Sequence, residues 1–373
     1  MRRLRPNRKL AALKVLHVFK TYLPGEFGGT QSVIHEIAEG THRLGVETEV
    51  LSLGPVTQTV EVGHHLSHQV KRDLYVASTD ISFGLFAAFP RLTAEADLIH
   101  YHFPWPVMDV LHLLRPPGKP AIVTYHSDIV RQKWLRRFYA PVMHKFLGSV
   151  DRIVATSPNY IATSPVLQRY RDKTVAIPIG VAEAPVPAPE RLAHWQGRLG
   201  DRFFLFVGAL RYYKGLPFLL EAARLTGLPV VIVGTGELLD EVTRTAPATV
   251  TVLGEVAEAD KTALLALSTA FVFPSHLRSE AFGVALLEAA RAGKPMLSCE
   301  IGTGTSYVNV DGLTGLTVPP ADPAALAIAM RQLWDNPALA AKMGQAARAR
   351  YETLFTGAHM AAAYHEEYQR LLG

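Results

Sequence analysis

Along the first 180 residues, short apolar runs rich in β-formers alternate with stretches of helical periodicity. LKVLHVF, VETEVLSL, DLIHYHF, PAIVTYH, DRIVAT and KTVAIPIG read as strands. TQSVIHEIAEGTHRLG and a long basic segment after Tyr125 read as helices. Such alternation predicts a parallel sheet covered on both faces. The segment 182–190, AEAPVPAPE, has three prolines in nine residues, which neither a helix nor a central strand tolerates, and reads as an interdomain linker. The alternation then restarts with FFLFVG, a helix after Gly215, LPVVIVG, ATVTVLG, AFVFPS, a helix from about Gly283, PMLSC and helical segments to the end. The pattern predicts two doubly wound α/β domains, residues 1–181 and 191–355, followed by a last helical segment, 356–373. A length of 373 residues also exceeds a usual single core.

Composition narrows the class. A hydrophobic fraction of 49% with 19% charged residues fits a soluble globular protein, and no run approaches the roughly 20 apolar residues of a membrane span. The single cysteine, Cys299, excludes an internal disulfide and fits a reducing, cytoplasmic compartment. The N-terminal MRRLRPNRKL is basic, but the apolar stretch behind it is interrupted by Lys14 and His17 and makes a poor signal peptide. Charge is uneven: residues 1–180 carry 22 Lys and Arg against 14 Asp and Glu, the remainder 16 against 19. The first half is therefore expected to meet something anionic. Residues 131–147 combine six basic-capable side chains with Trp134, Phe138, Val142 and Phe146 spaced four apart. That pattern suits a helix lying on an anionic membrane surface, and equally a core-facing stripe with a solvated basic back. Pro141 predicts a kink there. No nucleic-acid recognition motif accompanies the charge.

The candidate chemistry sits where strands give way to helices, which is where open α/β sheets bind ligands. In SEAFGVALLE, Glu280 falls in the loop after AFVFPS and Glu288 within the next helix. Gly283 permits the tight turn between them, leaving the amides of Ala281, Phe282 and Gly283 to meet a phosphate. Two ordinary helix-region glutamates would read the same way. FVGALRYYKG places Arg211 and Lys214 between Gly208 and Gly215, cations suited to a diphosphate or to a plain solvated loop; it is not a Walker motif. Gly28 and Gly29, in the loop opening the first helix, and Gly234 and Gly236, in VGTGE, allow close backbone approach to a ligand or simply a tight turn. His126 and Asp128, in YHSD, end a strand where either can meet a substrate or cap the next helix. His100 and His102 share a strand face, but no Cys or carboxylate cluster completes a shell, so no metal site is expected.

Taken in order, the glycine loop, YHSD, the linker after IPIG, VGALRYYKG, VGTGE and EAFGVALLE resemble the GT4 family of glycosyltransferases over nearly the whole chain. YHSDIV, FPSHLRSEAFG and CEIGTGTS further resemble bacterial mannosyl- and rhamnosyltransferases of O-antigen and surface polysaccharide assembly. The resemblance implies the GT-B fold, two Rossmann-like domains facing a central cleft, with a final helix from about His359 returning to the first domain. It implies retaining transfer with no required metal or cofactor. The donor would be a nucleotide sugar, GDP-mannose or GDP-rhamnose ahead of a UDP-hexose or UDP-N-acetylhexosamine. The acceptor would be a glycan or lipid-linked oligosaccharide at the inner face of the cytoplasmic membrane. A sugar-nucleotide epimerase of the same fold is the more distant alternative. Carried over, Arg211 and Lys214 hold the diphosphate, Glu280 the hexose and Glu288 the ribose, and His126 lines the reaction centre. Many members place arginine directly after the glycine, where this chain has Ala209, so Arg211 would act from two positions later.

Overall fold

The structure is a computed structural model that describes residues 12–25, 28–76, 79–128 and 133–373; the side chains of Tyr75, Val76, Thr79 and residues 133–138 fall outside that description. The stripe read from sequence at 131–147 therefore lies partly outside the described residues, Trp134 and Phe138 included. The chain forms two compact units, one of Met1–Tyr125, Lys133–Val154 and Met360–Gly373, the other of His126–Gln132 and Ala155–His359.

The first unit carries β1 (Leu13–Thr21), β2 (Val46–Gly54), β3 (Gln58–Val62), β4 (His65–Lys71), β5 (Leu74–Val76), β6 (Thr79–Ile81), β7 (Leu98–Phe103), β8 (Ala121–Tyr125) and β9 (Arg152–Ala155). Within this unit the main sheet runs β9-β8-β7-β1-β2-β4-β3. The pairs β1/β2, β1/β7, β7/β8 and β2/β4 are parallel, but β3 closes the edge antiparallel to β4. The β3–β4 hairpin and the small β5–β6 pair occupy a region where no element was expected. Gly63, at φ 60°, supplies the hairpin turn. The strands escaped notice because polar side chains interrupt their alternation: His65, Ser67 and Gln69 are all buried. The helix Gly29–His42 buries Val33, Ile34, Ile37, Ala38 and Thr41, one stripe at helical spacing. From the final helix, Gly357–Leu372, the Tyr364 hydroxyl pairs with Thr124 Oγ1 at 2.8 Å and the Tyr368 hydroxyl with His100 Nδ1 at 2.7 Å.

The second unit holds β10 (Thr174–Ala176), β11 (Phe204–Val207), β12 (Val230–Val233), β13 (Val250–Gly254), β14 (Ala270–Phe273), β15 (Met296–Cys299) and β16 (Gly315–Val318). Its six-stranded sheet, β13-β12-β11-β14-β15-β16, is parallel throughout. FLFV, VVIV and AFVF are buried at every position, the continuous apolar run of a sheet covered on both faces. Residues 182–188 form neither helix nor strand, and Pro189 opens the helix Pro189–Leu199. Strand order reverses at β11, which has β12 on one side and β14 on the other. The loops leaving β11 and β14 are thus neighbours at the switch point, the position from which such sheets bind ligands.

Candidate functional site at the strand ends of the second unit

The loop after β11 is pressed onto the loop after β14. Gly215 sits at φ 72°, and a Cβ there would stand 2.0 Å from the carbonyl oxygen of Pro274. That approach brings Lys214 beside Glu280, with Nζ 2.5 Å from Oε2 and both side chains nearly buried, 11% and 12% exposed. Ser275 Oγ donates to the same oxygen at 3.2 Å. The ammonium also lies 4.7 Å from the centroid of the Phe273 ring, a cation–π contact. Glu280 is further fixed through its backbone: its N–H donates to Leu277 O at 3.0 Å and its carbonyl accepts from Thr303 Oγ1 at 2.8 Å. The result is a pre-formed, nearly buried pair of carboxylate and ammonium. Arg211, in the same loop, is exposed, and among the described residues its guanidinium makes no ion pair.

The glycines of the neighbouring loop have a steric reason. A Cβ on Gly234 would stand 2.1 Å from Gly208 O, and one on Gly236 would stand 2.7 Å from Leu210 O. Backbone bonds stitch the two loops together, Leu210 N to Thr235 O at 2.8 Å and Leu238 N to Leu210 O at 3.0 Å. Gly234 and Gly236 thus support the loop bearing Gly208, Arg211 and Lys214. Gly283, at φ 86°, caps the helix Val284–Arg291, preceded by Ala281 and Phe282, both buried. Ala281 O accepts from Gly304 N at 2.8 Å, tying this turn to the loop after β15.

Among the described residues, Glu280 and Glu288 do not share a partner. Glu288 Oε1 meets Lys261 Nζ at 2.7 Å, and Lys261 also holds Glu258 at 2.9 Å. Burial opposes the charge on Lys261, but the two carboxylates outweigh it and raise its pKa. Lys261 lies in the helix Glu258–Leu267, a position with no local sequence signal. Arg278 was also missed, although it stands two residues before Glu280. It donates to Gly302 O at 2.6 Å, Thr163 Oγ1 at 3.2 Å and Asp128 Oδ2 at 3.3 Å. Asp128 additionally accepts from Ser164 Oγ at 2.8 Å, and its N–H donates to the Tyr160 hydroxyl at 2.5 Å. These contacts hold the Asp128 side chain in place. His126, half-buried in the same segment, is held neutral by desolvation, which pushes its pKa down to about 3.

Gly28 and Gly29 lie in the first unit, at the start of the helix Gly29–His42; a Cβ on Gly29 would meet nothing within 4 Å. That unit also gathers His17, His100 and His102, each fully buried. His17 joins the other two because β1 and β7 pair it directly opposite His100. His17 Nδ1 and His102 Nε2 are 2.9 Å apart, while the ring nitrogens of His100 pair with the Tyr368 and Thr124 hydroxyls, each at 2.7 Å.

Residues 27–184 match the model described as Glycosyltransferase Family 4, and residues 191–350 that of Glycosyl transferases group 1. The chain is 53% identical over 352 residues to the D-rhamnosyltransferase WbpZ of Pseudomonas aeruginosa, covering 92% of each chain. The chain belongs to the family 4 glycosyltransferases. This glycosyltransferase is also 47% identical over 368 residues to the O-antigen chain mannosyltransferase C of Escherichia coli, covering 96% of this chain and 99% of that one. Its fold is GT-B. A solved Anabaena protein, Alr3699/HepE in complex with UDP-glucose, is similar with a TM-score of 0.77 at 18% identity, covering 96% of this chain and 100% of that one. Among the described residues, no helix of the glycosyltransferase is long and apolar enough to cross a membrane.

Proposed function

We propose that the enzyme transfers a hexose, D-rhamnose or D-mannose, from its GDP-sugar to a glycan acceptor in bacterial surface polysaccharide assembly, with retention at the anomeric carbon and no required metal. The similarity to a rhamnosyl- and a mannosyltransferase supports the sugar class. The observation that carries the site is the Lys214–Glu280 pair, held at 2.5 Å at the switch point of the sheet. In this reading Glu280 accepts hydrogen bonds from the hexose hydroxyls. Lys214 and Arg211 face the diphosphate together with the amides of Ala281, Phe282 and Gly283. Glu288 exchanges its contact with Lys261 for the ribose hydroxyls.

Cleavage of the bond between the anomeric carbon and the phosphate oxygen leaves its electron pair on that oxygen. Cations and amides already in place stabilise this charge more in the transition state than before it. The acceptor hydroxyl oxygen bonds to the anomeric carbon, and its proton passes to the departing phosphate oxygen. Neither glutamate is needed as a base. His126, neutral at physiological pH, lines the reaction centre as a hydrogen-bonding group. The acceptor is a lipid-linked oligosaccharide, presented at an anionic membrane surface that the excess positive charge of residues 1–180 favours.

The test is a donor panel read by thermal shift and by product analysis, since a ligand that binds only the folded state raises its midpoint. GDP-mannose or GDP-rhamnose should raise the midpoint and yield GDP with a glycoside of unchanged anomeric configuration, at a rate EDTA does not alter. Transfer from UDP-sugars alone would overturn the donor assignment. Conversion of donor without acceptor would point to an epimerase.

A further inference from the structure

Away from the donor loops, a second group of titratable side chains gathers in the first unit. The helix Gly29–His42 presents His35 and Glu39 four residues apart, on one face. The β3–β4 hairpin brings His64 and His65 against them. Glu39 Oε1 lies 2.9 Å from His65 Nδ1 and accepts from the backbone N–H of His64 at 2.8 Å; Oε2 lies 2.7 Å from His64 Nδ1. The His35 and His65 rings are 5.6 Å apart. Gly63 makes room for the carboxylate, because a Cβ there would stand 2.4 Å from Glu39 Oε1.

Two features of this cluster suit a bound ion. His35 Nδ1 is buried and has no hydrogen-bond partner, although an unpaired buried polar atom costs stability. His65, itself 3% exposed, has its other ring nitrogen held by the Tyr22 hydroxyl at 2.8 Å. A hydrogen bond of that kind, to the ring nitrogen turned away from the metal, orients metal-ligating histidines.

We propose that His35, Glu39 and His65, whose ligand atoms already lie within 4.8 Å of one another, form a binding site for a transition-metal dication, with zinc preferred. Imidazole and carboxylate donors suit zinc, and a water molecule can complete the tetrahedron. Bonds of about 2.0–2.1 Å in a tetrahedron put ligand atoms roughly 3.3 Å apart, so the site closes by side-chain rotation on the order of 1 Å. The buried group His17, His100 and His102 fits less well. It offers no carboxylate against two positive charges, and both ring nitrogens of His100 are already taken. Metal at the Glu39 site would pin the hairpin to the helix whose first turn follows Gly28, and so stiffen that loop without entering the chemistry.

The test uses the full chain without a polyhistidine tag, stripped of metal and dialysed. Zinc titration by calorimetry should show one ion per chain, cobalt should give the intense visible bands of tetrahedral coordination, and zinc should raise the thermal midpoint. His35→Gln should weaken zinc at least about tenfold and abolish the midpoint shift. Because His35 Nδ1 has no partner without metal, this variant should fold as the parent does. Glu39→Gln should weaken binding likewise, while His359→Gln, on the exposed last helix, should bind as the parent does. The proposal is overturned if the parent takes up no zinc, if His35→Gln binds it unchanged, or if His17→Gln alone abolishes binding.

Discussion

The two units fill their sheets differently. In the second, the adjacent strands β12, β11 and β14 carry no polar side chain, and the proposed Lys214–Glu280 pair sits in the loops at their ends. In the first, the central strands β1 and β7 bury His17, His100 and His102, and Asp109 is buried nearby. Burial pushes the Asp109 carboxyl well above its ordinary range, with the Tyr139 hydroxyl as its hydrogen-bond donor. A hydrocarbon sheet tolerates changes in its loops because its own packing is untouched. A sheet that buries hydrogen-bonded networks depends on every partner being present. Polar substitutions should therefore cost turnover in the second unit and stability in the first.

The largest expected effect tests the loop side of that contrast. Lys214→Gln keeps a hydrogen-bond donor to Glu280 but removes the cation. Transfer should fall about 10²–10³-fold in kcat, with the thermal midpoint close to that of the parent. A collapse of the midpoint with normal turnover per folded molecule would make the pair structural. Gly234→Ala should break the separation between the units, because its Cβ would collide with Gly208 O. A stability loss of about 3 kcal/mol in urea titration is expected, accompanied by lost transfer.

In the first unit, Tyr368→Phe leaves His100 Nδ1 without its hydroxyl partner and should cost about 1–3 kcal/mol, with transfer per folded molecule retained. Glu288→Ala should have a smaller effect than Glu280→Ala, on the order of tenfold and mainly in KM for the donor, read by steady-state kinetics. The smallest effect is on pH dependence. Desolvation lowers His17 to about 3 and His112 to about 4, from an ordinary value of 6.5. The unfolded chain therefore binds these protons first, and the stability the neutral rings contribute is lost as pH falls from about 6.5 towards 4. Thermal midpoints across that range should decline, and His112→Asn should flatten the decline.

The chain's hydrophobic pattern by itself determined the doubly wound architecture, since FLFV, VVIV and AFVF are short, β-rich apolar runs of the kind found in strands covered on both faces, and each is followed by a helical segment. It also marked Lys214 and Glu280, because glycines beside charged residues at strand ends are visible locally. Their pairing was not visible, as 66 positions separate them and only the reversal of strand order at β11 makes their loops neighbours. Tertiary structure alone supplied Lys261 as the partner of Glu288, and Arg278 as the tie between Asp128 and Gly302. An ordinary helix lysine and a loop arginine carry no local mark of what they will touch. Tertiary structure also decided that Gly234 and Gly236 pack against the loop after β11, that the polar run after Gly54 forms a hairpin, and that His17 faces His100. Periodicity reports which face of an element is buried, whereas register and crossover decide which side chains meet there.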